Sequence, residues 1–349
     1  MREPEMTQTA QTEVAISRRH PPERGGSGAE FREMARRGLP ADRLKRLNAL
    51  SPWRGAWSVA LNVGTIAAAI AAALTWWHPL TVAAAIPVIA GGQHGLFVLA
   101  HEAAHYRLSR RRWLNEAIGR LCGMAGGVSM ITYRLIHRLH HNHLYEPLDP
   151  DLPLIAGYPR GRGYLLKKLG KDLLGLTAHK NLAYFFGAPG LNADTGDRSR
   201  PLADTSPALR KAAARDRWLV LGFHGLAPLA AIGAGYGWAY LLLWIVPLVT
   251  VLQAILRLRA LCEHGAPGDV SSPLTAARTN LAPAWVRWWL FPHHVNYHLE
   301  HHLYPAIPHY RLPECHRALK AAGLLNGAEV RHLGSTLRRI FADPQPAPA

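Results

Sequence analysis

Four long apolar runs without charged side chains constrain this fold more than any other feature of the sequence. They span about residues 57–77, 80–100, 218–235 and 239–256. At about 1.5 Å per residue, a run of this kind is long enough to cross a bilayer core of about 30 Å. Because very few residues separate the two runs of each pair, they predict two tight helical hairpins. We therefore expect an all-α membrane protein with four transmembrane helices.

The charge pattern predicts which side of the membrane the rest of the chain occupies. The chain has 40 Lys and Arg against 23 Asp and Glu, a formal charge of +17, which would suit nucleic acid or an anionic membrane surface. The apolar runs favour the membrane, so no nucleic-acid partner is expected. Basic residues crowd the N-terminal, middle and C-terminal sections, whereas the short links carry none. By the positive-inside rule, both termini are expected in the cytosol of a multi-pass protein of the bacterial cell membrane.

The composition along the chain predicts one domain with two flanking segments. Residues 1–39 are polar and rich in arginine, without the apolar stretch of a signal peptide, and are expected to form a disordered cytosolic arm. Residues 40–325 are expected to form the membrane domain, and residues 326–349 a C-terminal tail. The chain has 3 cysteines without CxxC spacing, so neither a disulfide framework nor a zinc ribbon is indicated.

Three histidine clusters, or boxes, lie outside the apolar runs. They are His101-Glu102-Ala103-Ala104-His105, His137-Arg138-Leu139-His140-His141 and His298-Leu299-Glu300-His301-His302. Residues three and four apart share one face of a helix, so each box can present several imidazoles to one small volume. The boxes supply 8 histidines, and one ion rarely takes more than about four protein ligands. Because all boxes are expected on the cytosolic face, we expect a cytosolic helical cap that carries a two-metal site.

The remaining histidines and the carboxylates near the boxes have simpler expected roles. Glu102 and Glu300 lie inside their boxes and are candidates for orienting imidazoles by hydrogen bonds. His94 is expected to be buried in the first hairpin rather than to bind metal. Four isolated histidines are expected to be ordinary core or surface residues: His78, His179, His224 and His309.

Two other functions fit parts of this pattern. The first box also satisfies HExxH, the motif of zinc proteases, with Glu102 as a possible base and Asp149 as a possible third ligand. That interpretation of an intramembrane zinc protease leaves the other six clustered histidines without a role. A non-catalytic metal-binding or metal-transport protein is the second alternative. Transport ligands are expected near the middle of the membrane, whereas these boxes lie beyond the helix ends.

The boxes HEAAH, HRLHH and HLEHH closely resemble those of the integral-membrane fatty-acid desaturase and hydroxylase superfamily. The resemblance extends over about Trp57 to Leu319, and includes NYHLEHHLYPAIP around the third box and Asp149-Pro150-Asp151 after the second. It implies two non-haem iron ions as cofactors, O2 as co-substrate and a lipid or fatty-acyl substrate. It also implies that a separate ferredoxin, rubredoxin or cytochrome b5 type protein delivers electrons. No cytochrome b5-like His-Pro-Gly-Gly segment is present in the sequence.

The resemblance also implies roles for individual residues. Many relatives have one further histidine just after the fourth span, where this chain has Glu263-His264; Ala260 stands where animal acyl-CoA desaturases have an asparagine. The implied metal ligands are His101, His105, His137, His140, His141, His264, His298, His301 and His302. The residues expected to contact these ligands are Glu102, Glu263, Glu300, Asp149, Asp151 and Asn296. No catalytic residue is expected beyond the metal ligands.

The expected reaction is O2-dependent desaturation of the acyl chain of a fatty acid or lipid. Removing hydrogen from an unactivated methylene needs a strong metal-based oxidant, while the protein positions the substrate and excludes water. Hydroxylation or ketolation of a lipid or carotenoid is the alternative, because these reactions share the oxidant. Acyl-lipid, acyl-CoA, acyl-carrier-protein and carotenoid substrates all fit an apolar tunnel.

Overall fold

The structure is a computed structural model that describes residues 28–188, 190–191, 198–199, 202 and 205–344. Almost all regular structure in this part of the chain is helical. The α-helices, numbered in chain order, are α1 Gly28–Arg37, α2 Ala41–Asn48, α3 Arg54–Thr75, α4 Pro79–Ala104, α5 Arg112–Ala125, α6 Met130–His143, α7 Leu152–Ile155, α8 Arg162–Leu173, α9 Ala178–Phe185, α10 Pro207–Gly233, α11 Gly237–Tyr240, α12 Val246–Val249, α13 Val251–Glu263, α14 Pro273–Ala276, α15 Ala284–Leu290, α16 His298–Leu303, α17 Leu312–Ala321 and α18 Leu333–Ile340. A π-helix spans Leu241–Ile245, and short 3-10 helices span Pro292–His294 and His309–Arg311.

The strands are short and form two separate pairs. Strand β1, Gly190–Leu191, is antiparallel to β2, Arg198–Ser199. Strand β3, Thr279–Leu281, is parallel to β4, Val330–His332.

Three helical segments are long and apolar enough to cross a membrane. They are Arg54–Thr75, Pro79–Ala104 and the continuous segment Gly237–Glu263, and they contain most of the runs predicted at 57–77, 80–100 and 239–256. The run predicted at 218–235 lies in the second half of helix α10, Pro207–Gly233. This helix is not among the three candidates, and its first turns carry charged residues such as Arg210, Lys211 and Arg215. The structure therefore shows an integral-membrane type of helix in three of the four expected places.

Small residues allow helices α3 and α4 to pack closely. A Cβ atom on Gly92 would collide with Ile66, and one on Gly95 would collide with Asn62. The side-chain amide of Asn62 donates a 2.8 Å hydrogen bond to the Gly92 carbonyl. Close backbone approach at small residues, supported by a polar contact, is a common way to join helices inside a membrane. Helix α4 then continues without a break into the first histidine box.

The last apolar segment, Gly237–Glu263, is irregular near its middle. Residues Leu241–Ile245 form a π-turn just before Pro247, which has no N–H to give to a regular helix. The Gln93 side chain of α4 donates a 2.8 Å hydrogen bond to the Trp244 carbonyl in this turn. Because a lipid environment supplies no alternative partner for a backbone carbonyl, this bond joins the second and last apolar segments.

The helices and strands that surround the histidine boxes, which we call the cap, include both ends of the described chain. This differs from the predicted domain boundaries. Helix α1 buries Phe31, which packs with Leu47 of α2 and Leu303 of α16 in one apolar cluster. The prediction of a disordered arm is therefore wrong for residues 28–37, which form α1, and residues 1–27 of that arm lie outside the described residues. The sequences of α1 and α2 are short and rich in charged residues, with only a few apolar side chains. Such sequences show no long apolar pattern from which a packed helix could be predicted.

The predicted C-terminal tail is also largely part of the fold. Strand β4 pairs with β3, and helix α18 buries Ile340 completely. The Arg278 side chain, which is 2% exposed, donates a 2.9 Å hydrogen bond from Nε to Glu329. Residues 330–340 thus pack on the cap, while the end of the predicted tail, residues 345–349, lies outside the described residues.

Candidate metal centre

The three boxes lie on helices or at helix ends that point toward one another. His101 is in the last turn of α4, and His105 caps its C-terminal end. The second box is the end of α6, whose first turn is capped by the Ser129 hydroxyl. The third box is the six-residue helix α16, and His264 caps the C-terminal end of α13. Helical spacing within each segment and packing between segments therefore bring all nine predicted ligands together.

The nine imidazoles form two groups, which we call the first and second histidine groups. The first group is His101, His105, His137, His141 and His301, and the second is His140, His264, His298 and His302. Within each group, the candidate ligand atoms lie within 4.8 Å of one another. The groups are adjacent, because the rings of His141 and His302 stack with their centroids 4.2 Å apart. Either group can hold a metal ion.

The second and third boxes each contribute to both groups. His137 and His141 are four residues apart and share a helix face, whereas His140 lies between them in sequence and points to the second group. In the third box, His298 and His302 belong to the second group and His301 to the first. His264 joins the second group, with His140, His298 and His302, rather than the group of His101 and His105.

The nitrogen spacing within each group is what metal ligation requires. In the first group, Nε2 of His137 lies 2.8 Å from Nε2 of His105 and 3.0 Å from Nε2 of His141. In the second, Nε2 of His264 lies 2.8 Å from Nε2 of His298 and 3.2 Å from Nε2 of His140. Two nitrogens at right angles around a metal ion, each about 2.1 Å from it, are about 3.0 Å apart.

Hydrogen bonding at the far side of the rings shows that these nitrogens present lone pairs. Nδ1 of His264 faces the Ala276 carbonyl at 3.1 Å, and Nδ1 of His140 faces Asp149 at 3.0 Å. Both acceptors require Nδ1 to carry the hydrogen, so a neutral ring has only a lone pair at Nε2. The two Nε2 atoms would repel each other unless a cation lies between them. A proton can bridge two nitrogens but not four, so the donor set of the second group fits a metal ion.

Several ring nitrogens in these groups have no hydrogen-bond partner in the described part of the chain. Both nitrogens of His101 are buried in this way, as are Nδ1 of His298 and Nδ1 of His302. A buried nitrogen without a partner is costly, because it has lost its hydrogen bonds to water. Coordination of a metal ion by His101 would satisfy one of its two nitrogens. This is a second observation that fits the residues present to a metal.

The electrostatics keep most of the rings neutral, which is the form that binds metal. Burial and the surrounding histidines hold the pKa values of His137, His141 and His301 well below the usual range. His140 is the exception. Burial alone would lower its pKa, but the nearby carboxylates of Asp149 and Asp151 raise it to about 9. The carboxylates beside His140 therefore stabilise a positive charge at this ring.

Four of the predicted carboxylates lie beside the imidazoles, and the fourth, Glu102, is described below with His309. Asp149 accepts a hydrogen bond from Nδ1 of His140 and is itself held by the backbone N–H of Tyr145 and of Asp151. Asp151 lies 3.5 Å from the same His140 nitrogen. Glu263 lies 3.6 Å from Nδ1 of His298, and the side chain of Arg259 holds it with a 2.8 Å hydrogen bond.

Two of the predicted residues, Glu300 and Asn296, contact other groups instead. Glu300 contacts no imidazole of either group in the described contacts; it accepts hydrogen bonds from Nδ1 of His316 and from the Thr279 hydroxyl, both at 2.5 Å. The Asn296 side chain donates a 3.1 Å hydrogen bond to the Asn280 carbonyl and so joins the segment before α16 to strand β3. Glu300 thus joins α16 to α17 and to strand β3 instead of orienting an imidazole.

Glu102 and His309 form a pair that the sequence did not predict. Glu102 lies 3.6 Å from Nδ1 of His101 and accepts hydrogen bonds from the backbone N–H of His309, at 2.9 Å, and from its Nδ1, at 3.1 Å. His309, expected to be an ordinary core or surface residue, is 2% exposed. Its Nε2 is hydrogen-bonded to the Ser58 hydroxyl at 2.9 Å. No local pattern marks His309, because its partner is 207 residues away.

The residues required for a zinc protease are not assembled. Asp149, the possible third ligand, lies on His140 of the second group rather than with His101 and His105. Glu102, the possible base, is engaged by His309. His94 is completely buried and faces the Trp289 carbonyl at 3.1 Å, as expected for a residue inside the helical hairpin.

A cavity reaches the second histidine group. It has an empty volume of about 860 Å³, including its open mouth. Its apolar walls include Phe97, Ile136, Ile155, Phe185 and Leu256. His140, His264 and His298 line its inner end, together with Tyr133, Asp151, Tyr184 and Glu263. An apolar chain in this cavity would lie against these imidazoles.

Comparisons with known proteins agree with this site. A sequence model of the family described as fatty acid desaturase matches residues 74–334. The chain is 29% identical over 292 residues to a dihydrorhizobitoxine desaturase of Bradyrhizobium elkanii, covering 79% of this chain and 78% of that protein. It is 26% identical to the sn-1 acyl-lipid omega-3 desaturase (ferredoxin) of Nostoc sp. (strain 36), over 64% of this chain and 63% of that protein. It is 26% identical to the zeaxanthin 4-ketolase of Chlamydomonas reinhardtii, over 67% of this chain and 44% of that protein.

The Glu102–His309 pair yields a testable prediction. His309→Ala removes the ring that holds Glu102 beside His101, so we expect metal retention to weaken about tenfold, as for other residues that position ligands. The measurement is the chelator concentration that removes half of the bound metal from the purified protein. His179→Ala, which alters an exposed histidine, is the matched control. Equal retention by the two variants would show that His309 does not support the site.

Proposed function

The chain belongs to the fatty acid desaturase family, and from this membership we propose that it is a di-iron membrane enzyme that introduces a double bond into an acyl chain. Members of this family are oxidoreductases that depend on non-haem iron and act in lipid metabolism. The finer elements of the proposal are two iron ions, O2 as co-substrate and the nine histidines as ligands. The cavity lined by His140, His264 and His298, which we call the acyl cavity, is the observation that carries the proposal.

The cavity explains how this protein would select a methylene. Its apolar walls would bury the hydrocarbon and remove it from water, which favours binding roughly in proportion to the apolar area covered. The inner end exposes the chain to the second histidine group over a short length only. The carbons that react would therefore be set by how far the chain can enter. Polar groups such as Tyr184 and Asp151, joined by a 2.7 Å hydrogen bond, would limit entry on one side.

The chemistry requires electrons and protons in addition to O2. Desaturation removes a hydrogen atom from each of two adjacent carbons, and O2 is reduced to water with electrons from outside. Two bound irons would supply the oxidant. The protein contributes ligands whose geometry is fixed from outside: Asp149 holds the ring of His140, and the Ala276 carbonyl holds the ring of His264. Burial of the ligands excludes water from the reacting position.

We further propose that a separate redox protein of the ferredoxin, rubredoxin or cytochrome b5 type delivers the electrons. The name of the Nostoc relative includes ferredoxin, which supports such a donor. Hydroxylation or ketolation of a lipid or carotenoid is the second candidate function. It is favoured by the ketolase among the relatives and by the oxidant that these reactions share.

A four-span topology with both termini in the cytosol completes the proposal. His101 and His105 follow the second apolar helix, and His264 follows the last, yet the two histidine groups are in contact through His141 and His302. Both chain positions must therefore lie on one side of the membrane. Since Gly237–Glu263 crosses once, another crossing is needed between residues 105 and 237, and the apolar half of Pro207–Gly233 is the segment that fits.

Lipid analysis of a host that expresses the protein tests the reaction. We expect new double bonds in acyl chains with the wild type and none with His301→Ala, because the variant lacks a ligand of the first group. His179→Ala should match the wild type. Oxygenated carotenoids without new acyl double bonds would favour a ketolase or hydroxylase. A cleaved membrane protein with unchanged lipids would contradict the whole proposal.

Metal analysis tests the ligand set. We expect about two irons per chain in the purified wild type and about one in His264→Ala, because three remaining imidazoles hold the second ion poorly. His179→Ala should retain both. Full iron in His264→Ala would remove His264 from the ligands. An active preparation with one tightly held zinc and no iron would contradict the di-iron proposal.

Reporter fusions test the topology. A reporter after Ala349 is expected in the cytosol, and reporters inserted at Trp77 and at Tyr236 are expected on the opposite side. A C-terminal reporter outside the cytosol would indicate an odd number of crossings. That result would mean that Pro207–Gly233 does not span the membrane.

A further inference from the structure

A second large pocket lies at the start of the first apolar helix, apart from the acyl cavity. It has an empty volume of about 1300 Å³, including its mouth, and shares no lining residue with the acyl cavity. One wall is the first three turns of α3, from Arg54 to Thr65. The other wall is formed by α15 and the loop that follows it, from Ala284 to His294, together with His309 and Tyr310. We call it the interfacial pocket.

The charged side chains that line the interfacial pocket are all positive. Its lining includes Arg54 and Arg287 and no aspartate or glutamate. Neither arginine makes an ion pair with a carboxylate among the described residues, whereas Arg257, Arg259 and Arg278 each do. A guanidinium is charged at any physiological pH and favours a carboxylate or phosphate partner with matching geometry. The charge of this pocket is therefore complementary to an anion.

Unsatisfied donors and acceptors point to the same conclusion. Nε of Arg287 and Nε2 of His293 are buried and have no hydrogen-bond partner in the described part of the chain. Burial lowers the pKa of His293 to about 3 and that of His294 to about 4, so both rings are neutral at physiological pH. They would contribute polar contacts rather than charge. Both residues adopt left-handed backbone conformations, with φ of 54° and 60°, which non-glycine residues rarely do outside functional loops.

The surroundings place the pocket at the level of lipid headgroups. Arg54 begins the first membrane-spanning helix, and Trp57 one turn later is 68% exposed. On the opposite wall, Trp288 is 42% exposed, and its neighbour Trp285 is 77% exposed. Tryptophan is enriched where hydrocarbon meets headgroups, and arginine near the cytosolic leaflet attracts anionic lipids.

We propose that the interfacial pocket binds the phosphate group of an anionic membrane lipid. Arg54 and Arg287 supply the charge, His293 and His294 the polar contacts, and Trp57 and Trp288 cover the first carbons of the lipid chains. The inner wall continues through Ser58 to His309 and then to Glu102, which lies beside His101. An occupied pocket would therefore stabilise the residues behind the first histidine group.

A lipid titration tests this site without requiring turnover. Purified full-length protein in a non-ionic detergent is titrated with dihexanoyl phosphatidylglycerol, with dihexanoyl phosphatidylcholine or with inorganic phosphate, and thermal stability gives an apparent Kd. We expect saturable stabilisation by phosphatidylglycerol, with an apparent Kd that is about fivefold higher in Arg287→Gln. One basic residue near an anionic lipid surface contributes about a fivefold change in affinity. Arg54→Gln should weaken binding similarly, and it replaces Arg287→Gln if that variant elutes as an aggregate. Arg317→Gln, at an exposed position on α17, is the matched control.

Each alternative outcome overturns the proposal. Equal stabilisation by inorganic phosphate would identify a site for a small free anion, and equal stabilisation by phosphatidylcholine would remove the need for a net negative charge. An equal loss in Arg317→Gln would indicate attraction to the whole basic surface rather than to the pocket. Because binding is measured without a reaction, a failure of the proposed desaturation leaves this result unaffected.

Discussion

The cap of this protein depends on the convergence of nine imidazoles, most of them neutral, into one buried volume. Lone pairs of several rings approach within about 3 Å, an arrangement that is unfavourable until a cation is present. The fold holds it through contacts on the far side of the rings. Asp149 fixes His140, the Ala276 carbonyl fixes His264, and Glu102 lies behind His101. Contacts within the protein therefore orient these rings, and a bound metal ion would relieve the cost of bringing their nitrogens together.

This requirement also constrains the membrane part. The ligands come from the end of α4, from α6, from the end of α13 and from α16, which are far apart in sequence. They meet only if the second and last apolar helices end on the same side at similar depth. The Gln93–Trp244 hydrogen bond joins these two helices inside the membrane, and the π-turn at Leu241–Ile245 accommodates Pro247 without ending the segment. Features deep in the bilayer thus support the register of the ligands at its surface.

Much of this architecture could be predicted from sequence, because it rests on local patterns. Uncharged runs predict spanning helices, and histidines at helical spacing predict shared faces. The contacts that could not be predicted depend on distant parts of the chain: His309 with Glu102, His316 with Glu300, and Tyr304 with Leu39. The terminal helices were missed for a different reason. Each buries only a few side chains, such as Phe31 or Ile340, within a polar and basic stretch, so neither shows a long apolar pattern.

The position of α1 has a consequence for the order in which the protein is completed. Its Phe31 ring lies 5.6 Å from the His302 ring, and the Tyr304 hydroxyl accepts a hydrogen bond from the backbone N–H of Leu39, 265 residues earlier in the chain. The ribosome synthesises α1 early. The surface that α1 covers forms only after residues near 300 have been synthesised. The earliest segment is therefore among the last to dock. Until then, the side of the second histidine group at His302 lacks this cover, which leaves an interval in which a metal ion could reach it.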